Sequence, residues 1–115
     1  MASANEAVQA VAQKFAREGG YDEVEVAFLD CAPPTLAAAV ATLAARGVTR
    51  IVVIPYFLTL GIHLQRDLPR IILDLEGIHN GVEIEVTPPL DGHPALVQIL
   101  LDRARASLPE RNAIV

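Results

Sequence analysis

Arg50-Ile-Val-Val-Ile-Pro55 sets four apolar β-branched residues between an arginine and a proline. The run has no polar alternation, so it predicts a strand covered on both faces, as in a parallel sheet. Tyr56-Phe-Leu-Thr-Leu-Gly-Ile-His-Leu-Gln-Arg66 follows. It predicts a loop of about a dozen residues, long enough to carry function. Asp67 is then expected as an N-cap with Pro69 in the first helical turn. Leu68, Ile71, Ile72 and Leu75 fall on one helical stripe. Strand, long loop and amphipathic helix in that order form half of a βαβ unit.

The flanking sequence repeats the alternation. Upstream, Val8, Val11, Ala12 and Phe15 form a helical stripe that Gly19-Gly20 ends. Asp22 to Leu29 alternates and then runs apolar, predicting a strand that Pro33-Pro34 breaks. A second helix carries Leu36, Val40, Leu43 and Ala44 on one side, with Gly47 past its end. Downstream, Asn80-Gly81 is a turn and Val82 to Val86 a strand. His93-Pro94 opens a last helix with Leu96, Ile99 and Leu100 on its buried side. The order α-β-α-β-α-β-α predicts the α/β class: a parallel sheet, right-handed crossovers and helices on both faces. Three strands make a small sheet, and the order reads as though it begins one strand late.

Composition narrows the function. With 115 residues a single domain over residues 1–115 is expected, with a patternless tail after about residue 108. Nine Lys and Arg against 14 Asp and Glu give a net charge of -5. That balance argues against a phosphate-backbone binder, and 4% aromatics without Trp argues against stacking on single strands. No nucleic-acid partner is expected. One cysteine, Cys31, excludes a disulfide framework and a Cys-rich zinc site, and fits a cytoplasmic setting. Mean hydropathy is high at +0.37. Yet the longest apolar stretch is too short to span a bilayer, and no leader-like h-region precedes it, so no membrane partner is expected. The apolar surplus calls for a buried sheet or a subunit interface.

Chemistry in an open parallel sheet sits beyond the carboxyl ends of the strands. Those ends release Asp30-Cys31-Ala32-Pro33, the loop with His63, and Pro88-Pro-Leu-Asp-Gly-His93. One carboxylate and two imidazoles therefore meet at one edge, a set suited to a divalent first-row metal or to moving protons. Simpler roles compete. Asp30 could cap the second helix, and His93 could cap the last one. Cys31 fits a small buried hydrophobe, and His79 fits a helix end where a cation suits the dipole. His63 has no such alternative, since no cap or core stripe asks for it. No Gly-rich phosphate loop is present, which ranks an anion-binding α/β domain last.

Ile51-Val-Val-Ile-Pro-Tyr-Phe-Leu-Thr-Leu-Gly-Ile-His63-Leu-Gln-Arg-Asp67-Leu-Pro69 resembles the signature of the small sirohydrochlorin cobaltochelatases of the CbiX type and their ferrochelatase relatives. There a strand ends in Pro-x-Phe-Leu, followed by Gly-x-His and Asp-x-Pro. Ala27-Phe-Leu-Asp30-Cys-Ala-Pro-Pro34 resembles the segment in which the family has Glu, a small residue and Pro. Pro89-Leu-Asp-Gly-His93-Pro-Ala-Leu resembles its Pro-Leu-Gly-x-His-Pro-x-Leu segment. The similarity runs from Ala4 to about Leu108.

The resemblance implies a lyase of cobalamin- or siroheme-type biosynthesis that inserts a divalent metal into a modified tetrapyrrole. The metal is a substrate, Co2+ first, with Fe2+ or Ni2+ as alternatives, and no organic cofactor is implied. It implies His63 as metal ligand and base, and Asp30 as an acidic substitute for the family Glu. Phe57, Leu58, Gly61, Arg66 and His93 are implied around the tetrapyrrole. Of the nearby cations Arg66 is the better candidate for its carboxylates, because Arg50 begins its strand at the far edge. A homodimer is implied as well. Family members open with an apolar strand ending in His-Gly-Ser, and that strand is expected to be missing here. The alternative is therefore a chelatase-like protein that binds metal or tetrapyrrole without turnover.

Overall fold

Gly20 and Gly47 end two helices in the same way. Each adopts a left-handed backbone, with φ 71° and 85°. The first helix, α1, runs Ala2–Gly19. Past it the Tyr21 N–H donates to the Ala16 carbonyl (2.9 Å) and Gly20 N–H to the Arg17 carbonyl (3.4 Å). The second, α2, runs Leu36–Ala45. There Val48 N–H donates to Leu43 (3.2 Å) and Gly47 N–H to Ala44 (3.0 Å). Both are Schellman closures, in which a residue without a Cβ turns the chain while its neighbours satisfy the last carbonyls. At the first, Phe15 stacks on Tyr21 with ring centroids 5.2 Å apart.

The computed structural model describes residues 2–29, 32–107 and 113–114. Asp30, Cys31 and most of the tail after Ser107 lie outside the described residues. The remaining elements are β1 (Arg50–Val53), α3 (Ile62–Ile78), β2 (Glu83–Val86) and α4 (Pro94–Ser107). The two strands pair in parallel, Arg50 with Glu83 through Val53 with Val86. The crossover between them is α3, as the order of the sequence predicts. The α/β class and the parallel sheet hold.

The core forms on one face of this pair. Ile51 and Ile84, paired in register, join Val40 and Leu43 of α2 and Leu68, Ile72 and Leu75 of α3 in one buried cluster. Val40, at 1% exposure, is its most enclosed member. The opposite side of β1 is not covered as expected: Val52 and Ile54 are 48% and 51% exposed. The reason lies in the helices. Among the described side chains of α1 and α4 none is buried. Ile99 and Leu100, expected on the buried side of α4, are 52% and 62% exposed.

Two boundaries differ from the sequence reading. Asp22 to Leu29 does not form a strand; among the described residues its one sheet-like contact is a bridge from Phe28 to Thr35. The burial alternates as the residues do, Val24 and Val26 half-covered and Glu23 and Glu25 exposed. A strand needs a ladder as well as alternation, and among the described residues no strand pairs with this segment. Glu23 and Glu25 instead meet Arg46 at the end of α2, at 2.9 and 2.8 Å. Helix α3 begins five residues before Asp67, with Gly61 as N-cap, and runs through Pro69. Leu60 and Leu64 pack against the core and pull the upstream turn into the helix. The bond that Pro69 cannot make would go to the Gln65 carbonyl on the exposed side, where water can replace it.

The edges of the sheet are unequal. On β2, the half-buried Glu76 carboxylate accepts the outward Ile84 N–H at 2.9 Å. On β1, Thr49 and Val53 carbonyls accept from Glu83 and Thr87, so residues 49, 51 and 53 face β2. The N–H and C=O of Val52 then point to the other edge, where no described strand pairs with them.

Candidate functional site at the carboxyl edge of the sheet

Two loops leave the carboxyl ends of β1 and β2, and the backbone ties them together. Leu90 N–H donates to the Phe57 carbonyl (2.9 Å) and Asp91 N–H to the Leu58 carbonyl (2.8 Å). The shorter loop then turns at Gly92, with φ 82°, into α4. The longer one is tightened by Gln65, whose side-chain amide donates to the Leu60 carbonyl at 2.8 Å. The Gln65 backbone N–H closes the first turn of α3 on the Gly61 carbonyl. No side chain caps that end of α3.

His63 therefore stands in the first turn of a helix and not in a loop. Its neighbour three residues on is Arg66, one turn away on the same face. The Arg66 guanidinium NH2 lies 3.2 Å from His63 Nδ1. Its Nε donates to Asp67 Oδ1 at 3.0 Å, and Arg70 approaches the same oxygen at 3.8 Å. Asp67 is thus an anchor for two arginines, not a helix cap. The i, i+3 spacing of His63 and Arg66 is visible in the sequence; placing both in a loop hid it.

Around this group the chain exposes apolar side chains. Phe57 is 43% exposed, Leu58 58% and Ile62 82%. Tyr56 and Leu90, from the two tied loops, are exposed as well. Exposed apolar groups beside a few polar ones make a shelf for a flat, largely apolar ligand with charged edges. Gly61, where the shelf meets α3, has open space where a Cβ would stand.

His93 reaches the same edge, but its ring turns to its own helix. Nδ1 accepts the Ala95 N–H at 3.0 Å, which makes His93 a cap for α4. No hydrogen bond joins it to His63 among the described residues. Thr35, not Asp30, caps α2, accepting from Ala38 N–H at 3.1 Å. His79 ends α3, its N–H on the Leu75 carbonyl, at the opposite edge. Arg50 pairs with Glu85, away from His63. Among the described residues no three His, Cys, Asp or Glu side chains converge on a point that could hold a metal ion. Among the described residues no helix is long and apolar enough to cross a membrane.

Comparison with known proteins gives the family and the fold. Residues 1–107 match the model of the CbiX family. A sirohydrochlorin cobaltochelatase of Methanopyrus kandleri is 29% identical over 123 residues, covering 90% of this chain and 86% of the relative. The chloroplastic sirohydrochlorin ferrochelatase of Arabidopsis thaliana is 32% identical over 94 residues, covering 82% of this chain and 42% of its own length. Among solved structures, a CbiX protein of Marinobacter aquaeolei VT8 superposes with a TM-score of 0.67 at 32% identity. That match covers 82% of this chain and 79% of the other.

Proposed function

Since this chain belongs to the CbiX family, we propose that it inserts a divalent metal into sirohydrochlorin. Co2+ is the first candidate metal, with Fe2+ and Ni2+ behind it. The observation that carries the reading is the site itself: an exposed imidazole and a guanidinium on one helical turn, at the rim of an apolar shelf. Relatives named as cobalt and iron chelatases support both the substrate and the metal class.

Chelation asks little covalent chemistry of a protein. As the metal enters, the ring loses two N–H protons, so the sum is M2+ plus free tetrapyrrole giving metallated tetrapyrrole plus two H+. A base beside the ring face accepts those protons. In this reading His63 is that base and the residue that presents the metal. A single imidazole suits a metal that must be passed on, unlike a closed structural site. Phe57, Leu58 and Gly61 offer the apolar shelf to the macrocycle. Arg66 takes a substrate carboxylate, a local cation in a chain of negative net charge. The Nε2 edge of His93 lies free for another polar group. Asp30, in the family's Glu position, is the second proton carrier. A cytoplasmic homodimer belongs to the same reading, supported by the uncovered faces of α1 and α4.

A second reading is a chelatase-like protein that binds metal or tetrapyrrole without turnover. One assay separates the two. Sirohydrochlorin and Co2+ are followed anaerobically by absorbance with the chain, with His63→Ala and without protein. We expect insertion above the protein-free rate and a fall of roughly 100-fold or more in the variant. Tetrapyrrole bound without insertion supports the second reading. Binding of neither metal nor tetrapyrrole overturns both.

A further inference from the structure

A guanidinium has hydrogens to donate and no lone pair to accept with. At 3.2 Å, Arg66 can therefore meet His63 Nδ1 only as the donor. The Nδ1 lone pair is then engaged, and a neutral ring carries its hydrogen on Nε2. Neither nitrogen has a lone pair free for a metal. The guanidinium is itself held: Asp67 Oδ1 accepts from Nε at 3.0 Å, which aims the fork at the ring. Both side chains are reachable from solvent, Arg66 at 67% exposure and Asp67 at 33%.

We infer that Arg66 is a latch on His63, released when a carboxylate-bearing ligand takes the guanidinium from Asp67 and the imidazole. Release frees Nδ1. The ring hydrogen can then sit on either nitrogen and leave the other to bind a metal. A carboxylate planar ligand and the metal are thereby coupled: each favours the state in which the other binds, by the same factor. Arg66 acts through His63 and is in this role a positioning residue. The inference rests on the reading of the site as a chelatase only for the identity of the carboxylate ligand. The latch itself is a property of the metal-free protein.

The test uses the full chain, with Co2+ alone as probe and no tetrapyrrole. Binding at His63 is read by paramagnetic broadening of its ring signals in a histidine 1H–15N correlation spectrum, which separates it from His79 and His93. Arg66→Gln is expected to tighten Co2+ binding at His63 by about threefold, the scale of one exposed charged contact. Removing a positive charge would do the same without a latch, so Asp67→Ala decides. It makes the neighbourhood more positive, and simple electrostatics predicts weaker Co2+ binding. The latch predicts tighter binding, because the guanidinium loses the oxygen that anchors its Nε–H. Unchanged or weaker binding in Asp67→Ala overturns the inference. A third arm adds mellitate, a planar polycarboxylate with no ring nitrogen to metallate, in the absence of metal. It should move the His63 Nδ1 signal of the wild type toward its position in Arg66→Gln and leave the variant unmoved. No movement in the wild type overturns the carboxylate trigger. These arms involve no insertion reaction, so failure of the latch and failure of the chelatase reading are distinguishable.

Discussion

Thr35 and His93 each stand one residue ahead of a helix and accept a backbone N–H with a side-chain atom. Thr35→Ala removes such an acceptor and is expected to lower stability by about 1 kcal/mol, with Thr35→Ser retaining most of it. Urea denaturation of the three proteins checks this, and an unchanged midpoint in Thr35→Ala refutes it. Arg46 is a different kind of tie. A hydrogen bond to Glu23, then the attraction of its charge and that of Glu25, raise its pKa above the ordinary guanidinium value. A raised value means that the contribution is complete below the ordinary pKa and fades only as pH climbs through the raised one, far above the physiological range. At this scale the sequence places His63 at the carboxyl edge of the sheet, and the structure puts it there in the first turn of α3. The sequence misled where two routine tasks competed: Asp30 and Thr35 both precede α2, and only geometry shows that the hydroxyl reaches Ala38.

The elements were legible in proportion to how local their causes are. Both glycine-ended helices, β1 and β2 could be read from periodicity and turn residues alone. The sequence predicts a late start for α3 because Pro69 is a strong local signal for a helix start. Its true start depends on Leu60 and Leu64 meeting the core, which is a tertiary fact. The proline thus sits in the helix interior at a cost. Pro69→Ala restores a bond to the Gln65 carbonyl and removes a ring clash, so it should stabilise the protein by about 1–3 kcal/mol. Thermal melting tests this; a lower melting temperature would mean that Pro69 fits its turn better than alanine does. Asp22 to Leu29 has the alternation of a strand, but no pattern within a segment supplies its ladder partner. For the site, topology placed both imidazoles at one edge, and the i, i+3 contact of Arg66 was lost with the helix boundary.

At the scale of the whole molecule the apolar surplus finds its place. The radius of gyration is 17.1 Å and the principal extents are 58 × 32 × 27 Å. A compact chain of this length would have a radius near ~13 Å. The described part is thus extended, with Val97, Ile99 and Leu100 of α4 and Val11 and Phe15 of α1 exposed. Such faces are expected to be covered by a second copy. Sedimentation at micromolar concentration should show a species heavier than 12.3 kDa, and Leu100→Glu should shift it toward the monomer. A single monomeric species for the unaltered chain would count against association.

The inequality of the two sheet edges has a consequence for how copies can add to one another. Glu76 occupies one outward group of β2, the Ile84 N–H, while among the described residues no strand pairs with the outward groups of β1. A ribbon that grows strand upon strand needs both a head and a tail. With an amide of β2 already taken, any meeting of two chains edge to edge is expected through β1, which gives a closed pair instead of a filament. A carboxylate that caps a single amide thereby makes one edge of the sheet a poorer template for a further strand than the other.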